Sequence, residues 1–240
     1  MDRNRKWTVA FAAAAGVVAV AGSAAAEEIR KDQPSKGAPE SRDLPAADRA
    51  VELTIGTGYA QGFGEIGAQQ ASFTDFAEAG GAVQIGAGYR LLSPLTLGVY
   101  GSGSVFARGG SADASAKLYS ATAGVQGDYH LRPAGSDWDP WVSLGTGWRG
   151  YWIGADQGTT SLHGWEIARL QLGVDYRVDP GVAISPVIGA DLTAFFTESS
   201  PQSSGFRNVS SPSVSTFVFA GLQGRFDIPT GSRSSSVASR

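Results

Sequence analysis

The stretch Val51-Glu52-Leu53-Thr54-Ile55-Gly56-Thr57-Gly58-Tyr59 sets Val51, Leu53, Ile55 and Tyr59 on one side of an extended chain and Glu52, Thr54, Gly56 and Gly58 on the other. A period of two is that of a β-strand whose faces meet different surroundings. Seven further stretches carry it: Ala82 to Leu91, Leu95 to Phe106, Lys117 to Leu131, Trp141 to Trp152, Trp165 to Val178, Val182 to Phe196 and Val214 to Ile228. Between Ala50 and Ile228, Asp, Arg, Gly or Pro cuts every apolar run before it reaches the roughly 20 residues of a spanning helix. Any membrane crossing in this span is therefore made by strands.

Alternation alone leaves open which face is inside, because a lipocalin-type soluble barrel has eight strands around an apolar interior. Residue types decide. The polar face holds Gly, Ser, Thr, Gln, Asp and Arg, and Lys117 is the only lysine from Ala50 to Ile228. A soluble surface is normally rich in lysine and glutamate, whereas a barrel in lipid turns its apolar face outward. The expected fold is all-β, an antiparallel up-and-down transmembrane β-barrel of eight strands over residues 50–228.

An internal repeat closes every second strand: Gly86-Ala-Gly-Tyr89-Arg90-Leu-Leu-Ser-Pro94, Gly127-Asp-Tyr129-His130-Leu-Arg-Pro133, Gly173-Val-Asp-Tyr176-Arg177-Val-Asp-Pro180 and Gly224-Arg-Phe226-Asp227-Ile-Pro229. The aromatics fall 40, 47 and 50 residues apart, the length of two strands and a loop. Tyr89, Tyr129, Tyr176 and Phe226 then form one interfacial aromatic girdle. Turns near Ser93-Pro94 and Asp179-Pro180-Gly181, with a modest one at Arg132 to Asp139, are short. The links at Ala60 to Gly81, Ala107 to Ala116, Ile153 to Gly164 and Thr197 to Ser213 are longer. Both termini belong on the short-turn side, which is periplasmic in membrane barrels of this kind.

The ends read differently. Arg3, Arg5 and Lys6 precede an apolar run from Trp7 to Ala21, and Ala24-Ala25-Ala26 supplies small residues, so residues 1–26 read as a cleaved secretory signal peptide. Residues 27–49 form a charged, proline-rich flexible lead in the periplasm, and 229–240 a flexible tail. The formal charge is −3, and removing the leader's three cations and one acid leaves −5, which argues against a nucleic-acid partner. With no cysteine, an exported chain has neither disulfides nor thiolate metal ligands.

On these strands, and on the terminal strand Val214-x-x-x-Val218-x-Ala220-x-Leu222-x-Gly224-x-Phe226, the chain resembles the small outer-membrane barrels of the OmpA and OmpX type, including porin-family barrels. The resemblance covers about Ala50 to Ile228. It implies a Gram-negative outer membrane, with lipids and lipopolysaccharide as surroundings, and insertion by the barrel assembly machinery reading the terminal strand. A departure is the tail of 14 residues after Phe226, where such chains often stop at the aromatic. The expected protein is a monomer.

Motifs for chemistry are weak. Gly62-Phe-Gly64-Glu-Ile-Gly67 matches a dinucleotide-binding pattern without the parallel sheet and helix that pattern requires, and no cofactor is expected. Ser161, His163 and Glu166, near the outer mouth, could be read as a base-activated nucleophile of a lipid A-modifying barrel enzyme, but serine is common in loops. His130 is expected to point inward beside Asp128, with no third ligand near it and hence no metal site. Asn208-Val-Ser210 has no standing as a glycosylation site in a bacterium.

The informative set is the ten charges on the inward face: Glu52, Arg90, Asp128, Arg149, Arg169, Asp175, Arg177, Asp191, Arg225 and Asp227. Unpaired, each would cost several kcal/mol in a narrow lumen, so cross-strand pairing into a plug is expected. If Val178 faces Val182, then Arg169 faces Asp191, and Leu170, Leu172, Val174 and Tyr176 face Ala190, Ile188, Pro186 and Ile184. The link Ala60 to Gly81, carrying Phe63, Ile66, Phe73 and Phe76, is expected to fold over the mouth with a short helix near Gln69 to Glu78. The function expected is that of a non-enzymatic barrel presenting surface loops and supporting envelope integrity or surface contacts, with a narrow channel or solute carrier as the alternative. N-terminal sequencing of the exported protein should begin at Glu27, and a retained Met1 would refute the cleaved leader.

Overall fold

The computed structural model describes residues 49–67, 71–131, 138–179, 181–201 and 205–230. The leader, nearly all of the lead and the tail beyond Thr230 lie outside the described residues. Eight long strands follow one another: β1 (Ala50–Phe63), β2 (Ala77–Leu92), β3 (Leu95–Arg108), β4 (Lys117–His130), β5 (Trp138–Ala155), β6 (Gly158–Asp179), β7 (Val182–Ser199) and β8 (Val214–Pro229). Each pairs antiparallel with its neighbours, and β1 closes on β8 from Ala50 opposite Pro229 to Phe63 opposite Thr216. Closure leaves no edge, so the ladder satisfies the backbone without help from solvent.

The exterior is apolar. Leu53, Ile55, Ile85, Val99, Leu144 and Ile188 lie exposed on it, while Glu52, Arg90, Asp175 and Arg225 are fully buried inside, the inverse of a soluble barrel. Tyr89, Tyr129, Tyr176 and Phe226 all point outward near the end that carries the termini, and Trp138 joins Tyr176 there with ring centroids 5.2 Å apart. A second aromatic belt, containing Tyr119, Trp148 and Trp165, faces outward toward the opposite, loop end. Eleven residues of β6 separate Tyr176 from Trp165, which on a strand tilted about 40° spans roughly 28 Å, close to the height of a lipid-facing band.

Two expectations need correction. The link Ile153 to Gly164 is no loop: β5 and β6 run on to Ala155 opposite Gly158, leaving Asp156 and Gln157 as a two-residue turn. Polar residues such as Thr159, Thr160 and Ser161 continue the pairing because a strand above the apolar band has no need of apolar side chains. In the β6–β7 register, Leu170, Leu172 and Tyr176 do face Ala190, Ile188 and Ile184, and Arg169 faces Asp191, but Val182 faces Asp179 in place of Val178. A bulge after Arg177 absorbs the extra residue, and the Asp179 carboxylate accepts from the Gly181 N–H at 3.0 Å to close the turn.

Where a large side chain crosses the lumen, glycine receives it. A Cβ on Gly124 would lie 2.6 Å from the Tyr100 hydroxyl, and one on Gly147 2.8 Å from it. Because the chain has no native cysteine, L172C/I188C should form a disulfide on mild oxidation, detectable by a 2-dalton mass loss, whereas L172C/V187C, with Val187 facing inward, should not.

Candidate functional site

The lumen is filled in tiers. Nearest the termini, Glu52 of β1 accepts from Arg90 of β2 at 2.7 Å, from Thr96 of β3 at 3.2 Å and from Arg225 of β8. Asp227 takes Arg177 at 2.8 Å and Arg90 at 3.1 Å. Arg225 also lies 2.8 Å from Asp175 and 3.9 Å from Asp128, with its guanidinium 5.0 Å over the Trp141 ring. Four acids meet three arginines in this tier among the described residues, so neutral donors make up the difference. The Trp141 indole N–H donates to Asp175 at 2.8 Å, Ser185 donates to it too, and the Gln126 amide donates to Asp128 at 3.3 Å. Buried carboxylates need such donors as well as counter-charges.

Above it, the Gln84 carbonyl accepts from Arg169 at 2.7 Å and from Gln171 at 2.9 Å, while its amide donates to Gln223 at 3.0 Å. A second charged tier follows. Arg149 reaches Asp191 at 2.6 Å and Glu166 at 2.7 Å, and the Tyr100 hydroxyl donates to Glu166 at 2.6 Å. Arg169, the register partner of Asp191, stays 3.7 Å from it because its guanidinium is drawn to Gln84 and lies 4.3 Å over the Tyr100 ring. Facing position therefore does not choose the closer partner.

The top tier is apolar. The link after β1 forms a helical turn at Phe73–Phe76, within the expected 69–78, and drops Phe73 fully buried into the barrel. Its ring meets Tyr151, Phe217 and Phe106 edge-on at 5.1, 5.2 and 5.8 Å. Gly62 makes room: a Cβ there would lie 2.4 Å from that ring. Under this cork is a cavity of about 20 Å³, room for one water, lined in part by Phe106, Phe217, Arg149 and Asp191.

All ten inward charges read from the sequence are buried in the lumen. Two further acids are buried: Asp139, which has no place in the expected set, and Glu166, which the sequence puts at the outer mouth. Glu166 and Arg169 both face inward although they are three apart in a strand, because a bulge between Glu166 and Ala168 resets the alternation. Nothing in the residue types of β6 signals that bulge. Tyr100 was findable, since it shares parity with Thr96 and Ser102 on β3. The expectation that His130 has no third potential ligand near it does not hold: it sits 2.8 Å from Asp139, and Asp175, which faces Asp139 across β5–β6, completes a group whose ligand atoms lie within 4.8 Å of one another. Arg225 already supplies a positive charge to that group through Asp175.

Ser161, His163 and Glu166 do not converge. His163 lies outside the barrel, stacked on Trp148 at 5.6 Å and meeting Phe206 at 5.2 Å, whereas Glu166 is inside. The glycines of 62–67 follow a strand of an antiparallel sheet, not the parallel sheet of a dinucleotide site. On the loop end, the backbone N–H and hydroxyl of Ser115 donate to Asp113 at 2.8 and 2.7 Å and hold its carboxyl below the usual range.

No protein-family profile and no curated protein matches the chain. Among solved structures it is similar to Neisserial surface protein A, at 14% identity and a TM-score of 0.52, covering 74% of this chain and 97% of that one. The fold is that of the small outer-membrane β-barrels. Outer membrane protein OprG of Pseudomonas aeruginosa aligns at 12% identity and a TM-score of 0.46, over 75% of this chain and 98% of that one. The N-terminal β-barrel domain of OprF from the same organism aligns at 15% identity and 0.43, with the same coverages. In an outer-membrane barrel of eight strands the lumen has room only for side chains or one small ligand.

Asp191→Ala should cost about 3 kcal/mol or more by leaving Arg149 and Arg169 buried with Glu166 as the one acid between them. In double-mutant cycles read by heat-modifiable gel mobility, the coupling of Asp191 with Arg149 should exceed that with Arg169. Equal couplings would contradict the assigned pairing.

Proposed function

We propose that this chain is a non-enzymatic protein of the Gram-negative outer membrane, a rigid barrel that holds its connections at the cell surface and supports envelope integrity or surface contacts. The observation that carries this reading is the filled lumen: two charged tiers, a glutamine belt and an aromatic cork lie in series along the axis. A solute path would have to break buried ion pairs, each costly to separate without water.

Several features support the placement. The apolar exterior between two aromatic belts suits outer-membrane lipids, with lipopolysaccharide against the loop-end belt. On this reading the termini and short turns face the periplasm, and the longer connections and the β5–β6 hairpin face outward. The strand Val214–Pro229 is the segment the assembly machinery reads, and the barrel works as a monomer. The separation of Ser161 and His163 from Glu166 across the wall supports the absence of catalysis.

The rival reading is a narrow channel or carrier. In planar bilayers the purified protein should give no discrete conductance steps, and a strain lacking it should become sensitive to detergent and recover with the intact gene. Reproducible unitary currents that vanish with the protein would sink the plugged reading.

A further inference from the structure

We infer that the loop end of the lumen is a binding site for a small, largely apolar molecule carrying one hydrogen-bond acceptor, and that Phe73 is its exchangeable occupant. The walls come from strands: Phe106 of β3, Leu118 of β4, Tyr151 of β5, Phe195 of β7 and Phe217 of β8. The occupant comes from the link between β1 and β2. A barrel that needed only a filled core could supply the ring from its own wall, as it does lower down with Tyr100 and Trp141. Here the strands build an aromatic box and a mobile type of element, a connection, fills it.

A second observation points to a ligand. The Tyr151 hydroxyl is buried in this box with no hydrogen-bond partner, and Phe73, whose ring sits 5.1 Å from that of Tyr151, has no acceptor to offer it. A buried hydroxyl left unpaired is costly, and a ligand with a carbonyl or ether oxygen would relieve that cost where phenylalanine cannot. The small cavity below the ring, floored by Arg149, adds space for a molecule longer than a phenyl group.

The occupant can leave without opening the barrel. Phe73 rides on a four-residue turn whose N-cap Ser72 makes no capping bond, with Thr74 and Asp75 exposed. Three backbone bonds, each of 2.8 Å, hold it: Phe73 N–H to Gly64 carbonyl, Gly109 N–H to Phe76 carbonyl and Ser111 N–H to Asp75 carbonyl. The approach passes through Gly64 and Gly67, both at positive φ (95° and 77°). Three bonds are few beside the continuous ladder that closes the strands beneath them.

The test is a ¹⁹F NMR titration of the full mature protein in amphipol with 4-fluoroacetophenone, which has the acceptor, and fluorobenzene, which lacks it. Wild type should bind 4-fluoroacetophenone. Phe73→Ala should bind both probes about tenfold more tightly, because the site no longer has to be vacated. Tyr151→Phe should weaken 4-fluoroacetophenone about fivefold and leave fluorobenzene unchanged. The disulfide pair D75C/S111C should abolish binding until it is reduced. If Phe73→Ala loses native gel mobility, Gly62→Ala, which pushes against the ring from the wall, takes its place. The proposal is overturned if natively folded Phe73→Ala or its replacement binds neither probe, if Tyr151→Phe treats 4-fluoroacetophenone as wild type does, or if the locked protein binds undiminished.

Discussion

The structure depends on how little room eight strands leave inside. With apolar residues committed to the exterior, the charged side chains of the strands within the lipid band are directed into a channel about two side chains across, where water cannot solvate them. Charge in that space survives only in company. Glu52 takes two arginines and a threonine, Asp227 two arginines and Glu166 an arginine and a tyrosine, so each carboxylate collects several donors from different strands. Arginine suits this role because one planar fork can serve two or three acids, as Arg225 does for Glu52, Asp175 and Asp128.

The same constraint orders the tiers. Charged groups occupy two levels, and Gln84, Gln171 and Gln223 bridge between them with neutral bonds. At the loop end, where the wall turns aromatic, Arg149 marks the boundary: its guanidinium pairs with acids while lying 4.0 Å over the Phe217 ring. One residue thus belongs to both chemistries. The aromatic box begins above it.

Much of this could be read in the chain beforehand, and the exceptions have physical reasons. Strict period two gives the strands, their closure order and the facing of Arg169 with Asp191, because register follows once one face must be apolar. Parity fails where the backbone inserts residues, as at Glu166 to Ala168 and after Arg177, since a bulge is a backbone event with no residue type of its own. Pattern also fails above the lipid band, where Thr159 to Ser161 pair as strand without an apolar face to advertise it. Asp139 was hidden beside Pro140, which reads as a turn although here it pairs with Val174. The link carrying Phe73 could be recognised as a cover from its aromatic content, but which of its rings descends depends on Gly62 and the box opposite it.

The pairing around Glu52 has a kinetic meaning. Arg225 lies 173 residues away on β8, so this contact exists only after the last strand has docked on the first. An inserted but open sheet would hold Glu52 and Arg225 in the membrane without one another, a costly state for buried charge. Docking of β8 on β1 therefore joins the backbone ladder and the Glu52–Arg225 pair in the same event. A closure in another register would leave Glu52 and Arg225 unmatched, so the lumen charges single out the register in which they meet.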